Sequence, residues 1–173
     1  REVVCRVESS EQSRSEPTAA VTLYQAFPKQ DKLDYIVQKT TELGITRIVP
    51  FISARCVSRP EGKSSEKKLE RLRRIAEEAA KQSGRGMIPE IAPLTDMRGA
   101  VEDMKKCGVK LFCYENGGRR LSEVSLPKSG SIGVMIGSEG GFERAEADMA
   151  EAAGAIRIWL GERILRCETC PVA

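Results

Sequence analysis

The amino-acid sequence predicts an α/β protein built on a parallel, doubly wound sheet. Two observations predict this fold class. Short apolar segments of strand length alternate with amphipathic helical patterns along the 173 residues. Parallel strands need long crossover connections, and the predicted helices supply them. The length suits one full domain with its own core and is too short for two large domains.

The first third of the chain predicts a β-α-β unit behind a separate N-terminal piece. Residues 1–8 have the pattern of a strand, and residues 9–17 that of a polar linker. The next predicted strand covers residues 21–27. A helix follows from about Lys29, with apolar side chains on one face and a glycine stop, before a strand over residues 45–52.

The next segment is strongly basic, with ten basic and five acidic side chains between Ser53 and Arg85. Residues 53–65 form a predicted loop, and residues 66–82 a helix with an apolar stripe and i,i+4 ion pairs. Residues 83–86 either hold a phosphate or serve only as a helix stop. The charge fits a polyanionic partner, and a solvated helix face explains it equally well.

The second half continues the alternation of helices and strands. Its predicted elements are a short strand over residues 87–91, a helix over 95–106 with Thr95 as N-cap, a strand over 109–114, a polar turn over 115–118 and a short helix that ends near Val124. A strand over 131–136, a glycine-rich loop, a helix that ends near Ala153 and a strand over 155–160 follow.

The chain is organised around the glycine-rich corner at residues 137–141. In a parallel sheet this corner lies at the carboxyl end of a strand, where ligands usually bind, and its glycines let the backbone line a pocket. It lacks the Lys and Ser/Thr of a Walker loop, and Glu139 suits a ligand with positive charge. A tight turn without a ligand is the alternative. If the strands before residues 115, 137 and 161 are neighbours, their loops converge on one cleft.

Composition excludes several kinds of chemistry. The sequence contains no histidine, which excludes Ser-His-Asp and Cys-His catalysis. Only Cys167 and Cys170, of six cysteines, form a C-x-x-C, so we expect no metal site and the reduced thiols of a cytoplasmic protein. No apolar run is long enough to span a membrane, and no G-x-G-x-x-G follows a strand.

Five ordered motifs resemble the RsmE family of ribosomal RNA small-subunit methyltransferases, in the SPOUT superfamily. The two signature loops of that family match residues 136–142 and 160–169, and shorter stretches match residues 39–44, 78–85 and 88–91. The resemblance covers about residues 18–173. It implies methylation of N3 of a uridine in 16S ribosomal RNA of the small ribosomal subunit, with S-adenosyl-L-methionine as methyl donor. It also implies a homodimer and a C-terminal trefoil knot.

The resemblance also implies what lies at the two ends of the chain. Residues 1–16 correspond to the last strand of an N-terminal PUA-like barrel with its linker, and residues 17–173 to the SPOUT domain. The family continues past Ala173 into a helix that closes the knot, so we expect further residues at both ends. The family usually has Pro where Ser138 stands, which is a change between small residues.

The matched loops imply the site residues. The cofactor is expected on the three loops that follow the strands ending before residues 115, 137 and 161. The expected residues are Phe112, Tyr114, Glu115, Ile136, Gly137, Glu139, Gly140, Gly141, Leu160, Gly161, Ile164, Leu165, Arg166 and Thr169. The RNA is expected on Arg55, Arg59, Lys81, Gln82, Arg85 and Arg163.

Two residues of the loop 160–169, Arg166 and Glu168, carry the implied chemistry. Methyl transfer from a sulfonium is an in-line displacement that depends on positioning, and the uridine N3 proton must leave. Arg166 is expected to stabilise charge on the uracil oxygens, and Glu168 or a bound water to take the proton. The alternatives are an ion pair within the loop for Arg163 and Arg166, and a carboxylate bonded to backbone N–H groups for Glu168. Cys167 and Cys170 are expected to pack rather than to act as nucleophiles.

Two other functions stay open at this point. One is a SPOUT methyltransferase that acts on tRNA or on a ribose 2′-hydroxyl group. The other is an RNA-binding module without turnover. The first differs from the implied function in the methylated atom, and the second in the absence of any methyl transfer.

Overall fold

The strands in the described part of the chain run parallel in one sheet. The computed structural model describes residues 3–11 and 13–173. The strands in this part of the chain are β1 (Ala19–Ala26), β2 (Arg47–Ile52), β3 (Glu90–Ile91), β4 (Thr95–Asp96), β5 (Val109–Cys113), β6 (Arg119–Arg120), β7 (Gly130–Ile136) and β8 (Ile156–Trp159). Their order in the sheet is β3-β2-β1-β7-β5-β8-β6, and β4 also pairs with β2. Each pairing is parallel, which confirms the predicted fold class.

Helices connect these strands. They are α1 (Lys32–Glu42), α2 (Gly62–Gln82), α3 (Met97–Met104) and α4 (Arg144–Ala152), with 3₁₀ turns at Leu121–Glu123 and Cys170–Val172. The apolar stripes that predicted α1 and α2 are their buried faces, for example Ile36 in α1 and Leu72 in α2. Helix α3 is capped by Asp96, whose side chain accepts a hydrogen bond from the Gly99 amide at 2.7 Å.

Several element boundaries differ from the prediction. Helix α2 begins at Gly62 rather than near residue 66, because the added turn is polar and carries no apolar signal. Thr95 lies in β4, so Asp96 is the cap in its place. The strand predicted over residues 87–91 is reduced to Glu90–Ile91. No strand forms over residues 3–8, where Val3 and Val4 are more than 80% exposed, and residues 1 and 2 lie outside the described residues.

The three strands that precede the predicted ligand loops are neighbours, with β5 between β7 and β8. This confirms the condition on which one shared cleft depends. Below the cleft, three buried aromatic rings fill the core. The ring of Phe142 lies 4.6 Å from that of Phe112 and 6.3 Å from that of Phe51, measured between centroids.

A half-buried polar cluster ties three of the elements together away from the cleft. Tyr24 of β1 donates a hydrogen bond to Asp103 of α3 at 2.9 Å, and Arg47 of β2 forms an ion pair with the same carboxylate. Lys106 pairs with its second oxygen at 2.9 Å. Burial acts to raise the pKa of Asp103, but these three partners outweigh it and lower the pKa to about 2.

We predict that Asp103→Asn lowers the free energy of unfolding by about 2 kcal/mol at pH 7, because a lowered pKa stabilises the folded state. The contribution is complete above the ordinary pKa of the carboxyl group. It is lost as the pH falls from about 4 to about 2, where the folded protein also binds the proton. Urea unfolding of both proteins across this range measures the difference. Glu102→Gln, which removes an exposed pair on the same helix, is the control, and equal stabilities of the D103N variant and the wild type at pH 7 would refute the assignment.

Candidate functional site

The carboxyl ends of β5, β7 and β8 open into one cavity of about 570 Å³. Three segments supply most of its wall: residues 113–115 after β5, residues 136–142 after β7, and residues 158–167 at the end of β8 and beyond it. Lys32 from the first turn of α1 and Cys170 from the last 3₁₀ turn complete the lining. The neighbouring positions of the three strands therefore create the site.

The glycine-rich loop is a tight turn whose backbone lies against other loops. The Gly141 amide donates to the Ser138 carbonyl at 3.0 Å, and Gly141 has φ +64°. A Cβ at Gly141 would lie 2.7 Å from a Glu115 oxygen, and a Cβ at Gly140 would lie 2.9 Å from that of Arg55. The loop thus needs glycine at these positions, and its peptide groups line the cavity without side chains of their own.

Aromatic side chains form part of the wall and its support. Tyr114 and Trp159 line the cavity. The Arg120 guanidinium lies 5.2 Å from the centroid of the Trp159 ring, which is a cation–π distance. Phe112 is fully buried behind the wall, with its ring 5.6 Å from that of Tyr114.

A charged cluster lies at the edge of the cavity and joins three segments. The Lys32 ammonium is 3.0 Å from a carboxylate oxygen of Glu139 and 3.1 Å from one of Glu168. The Lys29 amide donates to both oxygens of Glu139, at 3.1 and 3.3 Å. The Cys167 thiol donates to Glu168 at 3.2 Å.

These contacts determine the protonation states of the cluster. Burial acts to raise the pKa of Glu139 and of Glu168, but the hydrogen bonds each carboxylate accepts and its pairing with Lys32 outweigh burial and lower both pKa values. The pairing with Glu139 raises the pKa of Lys32. Burial raises the pKa of the Cys167 thiol to about 12. At neutral pH the cluster holds two carboxylates, one ammonium and a neutral thiol, and so carries one net negative charge that suits a positively charged ligand.

The structure brings together most of the residues predicted for the cofactor. Twelve of the fourteen line the cavity: Tyr114, Glu115, Ile136, Gly137, Glu139, Gly140, Gly141, Leu160, Gly161, Ile164, Leu165 and Arg166. Phe112 lies behind the wall. Thr169 lies in a turn, where its amide donates to the Arg166 carbonyl at 2.9 Å.

The two residues predicted for the chemistry lie in different surroundings. Arg166 lines the cavity, as does Arg163, and neither forms an ion pair within residues 3–11 and 13–173. The alternative of an ion pair inside the loop is therefore wrong for both. Glu168 lies at the edge of the cavity in contact with Lys32 and Cys167. Cys170 was expected to pack, and its side chain lies against that of Cys113 in the cavity wall.

The residues predicted for RNA have different local contacts in the structure. Arg55 lies beside the cavity, where its guanidinium donates to the Gly140 carbonyl at 3.1 Å. Arg59 donates to the carbonyls of its own loop, Lys81 pairs with Glu77 at 2.6 Å, and Gln82 is exposed at the end of α2.

The prediction that Arg85 contacts RNA phosphates is wrong. Its side chain is only 2% exposed. The guanidinium donates to the carbonyls of Thr41 and Ile45, at 3.1 and 2.6 Å, and pairs with Glu16 at 2.6 Å. Arg85 therefore anchors the loop after α2 to the end of α1 and the start of β2.

Sequence reasoning missed Lys32. It lies more than one hundred residues before both of its carboxylate partners, at a helix start where no motif marks it. The only available signal was a lysine in the loop after β1, since loops after strands of a parallel sheet share one edge.

The described residues include neither a group placed to hold a metal ion nor a membrane-spanning helix. In the described residues, no group of three or more Cys, Asp or Glu side chains is placed to hold a metal ion. None of the helices described above is both long enough and apolar enough to cross a membrane.

Comparison with known proteins identifies relatives across nearly the whole chain. A family model for the RNA methyltransferase domain matches residues 14–173. Ribosomal RNA small subunit methyltransferase E of Bacillus subtilis is 35% identical over 159 residues, which cover 88% of this chain and 62% of that protein. The same enzyme of Mesomycoplasma hyopneumoniae is 35% identical, with 91% and 68% covered. The chain thus spans roughly two thirds of the length of these relatives.

Solved structures give the same picture. Ribosomal RNA small subunit methyltransferase E from Neisseria gonorrhoeae, bound to S-adenosyl methionine, is 37% identical with a TM-score of 0.86, and the match covers 94% of this chain and 66% of that one. A putative methyltransferase from Legionella pneumophila, in complex with the same cofactor, is 28% identical with a TM-score of 0.85, and the match covers 91% and 64%.

We predict that Cys167 resists alkylation at pH 8, because a thiol with a pKa of about 12 has almost no reactive thiolate there. Iodoacetamide labelling followed by peptide mass spectrometry measures the rate at each cysteine. The exposed Cys5 is the internal control and is expected to react first. Equal rates at Cys167 and Cys5 in the folded protein would contradict the buried, hydrogen-bonded thiol.

Proposed function

The chain belongs to the family of RNA methyltransferase domains that includes ribosomal RNA small subunit methyltransferase E, and on that basis we propose that it methylates ribosomal RNA with S-adenosylmethionine. The proposed acceptor is N3 of a uridine in 16S RNA. The observation that carries the proposal is that the loops at the ends of β5, β7 and β8 form one cavity, and two of these loops match the family's signature motifs. Its volume lies within the range of about 300–1,000 Å³ that is usual for ligand sites.

The residues of the cavity fit this cofactor. Gly137, Gly140 and Gly141 offer bare peptide groups, which can hydrogen-bond to an adenine ring and a ribose. The net negative charge of the cluster around Glu139 complements a sulfonium cation. When bound, S-adenosylmethionine supplies an electrophilic methyl group.

The protein's own groups then position the uridine and manage its charge. Arg166 lines the cavity outside any ion pair with the described residues, so its guanidinium is the candidate to stabilise negative charge on the uracil oxygens. Glu168 has a lowered pKa because the Cys167 and Lys32 hydrogen bonds outweigh the effect of burial. An ionised carboxylate held in this way is a weak base, which favours a water molecule over Glu168 as the proton acceptor.

We also propose the finer features of the family for this chain. The contacts of Cys170 with Cys113 and of the last 3₁₀ turn with α1 support a C-terminal segment that passes close to the strand ends, as a trefoil knot requires. At the other end of the chain, the exposed side chains of Val3, Val4 and Val7 support pairing of this N-terminal stretch with a PUA-like barrel. The homodimer and the cytoplasmic location rest on family membership alone.

Titration with S-adenosylmethionine tests the proposal directly. Trp159 is the single tryptophan of the sequence and lines the cavity, so we predict that the cofactor changes its fluorescence, with calorimetry giving the same affinity. Transfer of a labelled methyl group to small ribosomal subunits, followed by nucleoside mass spectrometry, identifies the methylated atom. A methylated tRNA or ribose oxygen would replace the proposed acceptor. RNA binding without any transfer would replace the proposed activity.

The glycine loop offers a matched pair of variants. Gly141→Ala and Gly84→Ala both place alanine at a similar positive φ, +64° and +69°, and each is predicted to lose about 1 kcal/mol of stability. Only the first places a Cβ against Glu115 in the cavity wall, whereas nothing lies within 4 Å at Gly84. We therefore predict that only G141A weakens cofactor binding. Equal affinities of the two variants would show that the loop does not hold the ligand.

A further inference from the structure

One lysine joins three segments that are distant in sequence at the edge of the cavity. Lys32 lies in the first turn of α1, Glu139 in the glycine-rich loop after β7, and Glu168 in the segment after β8. Both carboxylates are within 3.1 Å of the same ammonium group. The loops after β7 and β8 thus meet through a single charged side chain that belongs to neither.

The surroundings make this pairing stronger than an ordinary surface ion pair. The side chains of Lys32, Glu139 and Glu168 are each only about a quarter exposed. Isolated exposed pairs contribute little because water and salt screen them, and this screening is reduced where all three groups are mostly covered. An ammonium with two carboxylate partners also restricts the position of each one.

We infer that Lys32 is a positioning residue that holds the carboxylates of Glu139 and Glu168, so that the loops after β7 and β8 keep the shape needed to bind the cofactor. This inference rests on the proposed function for its consequence, but its structural part stands on the two ion pairs. Lys32 lines the cavity and acts through its two partners.

The two carboxylates depend on Lys32 to different degrees. Glu139 accepts two further hydrogen bonds from the Lys29 amide and keeps them when Lys32 is replaced. Among the described residues, Glu168 keeps only the Cys167 thiol as a side-chain partner. The titratable groups that face one another here are Lys32, Glu139, Cys167 and Glu168. Without the ammonium, two carboxylates remain with no cation between them, and each raises the pKa of the other.

The test compares Lys32→Met, Lys32→Arg and Lys39→Met. Lys39 is the matched control, because it lies on the same helix and pairs with Glu42 at 2.8 Å away from the cavity. We expect K32M to weaken S-adenosylmethionine binding by about tenfold or more, measured by Trp159 fluorescence and calorimetry. We expect K32R to recover most of the affinity, since arginine can pair with both carboxylates, and K39M to bind as the wild type does.

A second readout separates positioning from a general loss of structure. In protein with ¹³C-labelled glutamate carboxyl groups, NMR titration is expected to show Glu168 titrating at higher pH in K32M than in the wild type. Glu139 is expected to move less, and neither to move in K39M. Circular dichroism confirms that each variant is folded at the pH of the binding measurement.

The two readouts distinguish failure of this inference from failure of the proposed function. A folded K32M protein with unchanged glutamate titration overturns the inference, whatever the wild type binds. Where the wild type binds the cofactor, an unchanged affinity in K32M overturns the inference as well. A wild-type chain that binds no cofactor counts against the proposed function, and the glutamate titration then still decides whether Lys32 holds the carboxylates.

Discussion

The position of β5 between β7 and β8 is the constraint on which the candidate site depends. In a parallel sheet all carboxyl ends lie at one edge, so neighbouring strands deliver their following loops to the same place. Residues 113–115, 136–142 and 158–167 therefore meet, although up to 42 residues separate them along the chain. A different strand order with the same sequence motifs would give three separate turns and no common cavity.

Charge determines which ligand this cavity favours. The bare peptide groups of the glycine-rich loop are electrically neutral and would accept many ligands, whereas the cluster of Lys32, Glu139 and Glu168 carries one net negative charge. The ammonium also limits that charge, because two unpaired carboxylates at this edge would repel each other and take up a proton. The same lysine thus keeps the loops together and keeps the site suited to a cation.

The sequence predicts the regular elements well and the long-range contacts poorly. Apolar periodicity is local, so it locates α1, and the two signature motifs locate the loops after β7 and β8. The polar first turn of α2 carries no such signal and was missed. Lys32 and Arg85 show the larger gap: a charged side chain looks alike whether it is solvated or paired. Only the folded chain reveals that Lys32 meets Glu139 and that Arg85 meets Glu16.

The basic segment before the cavity shows why charge counts overstate an RNA surface. Arg85 is buried and uses its guanidinium group on backbone carbonyls and on Glu16, so it fixes a loop instead of offering charge to a phosphate. Of the residues proposed for RNA, Arg55 lies beside the cavity, with its guanidinium on the Gly140 carbonyl, and Arg163 lies in the cavity wall. Phosphate contacts position a nucleic acid without reading its sequence. In the proposed function, selection of one uridine depends on the cavity wall rather than on the number of basic residues in the segment before it.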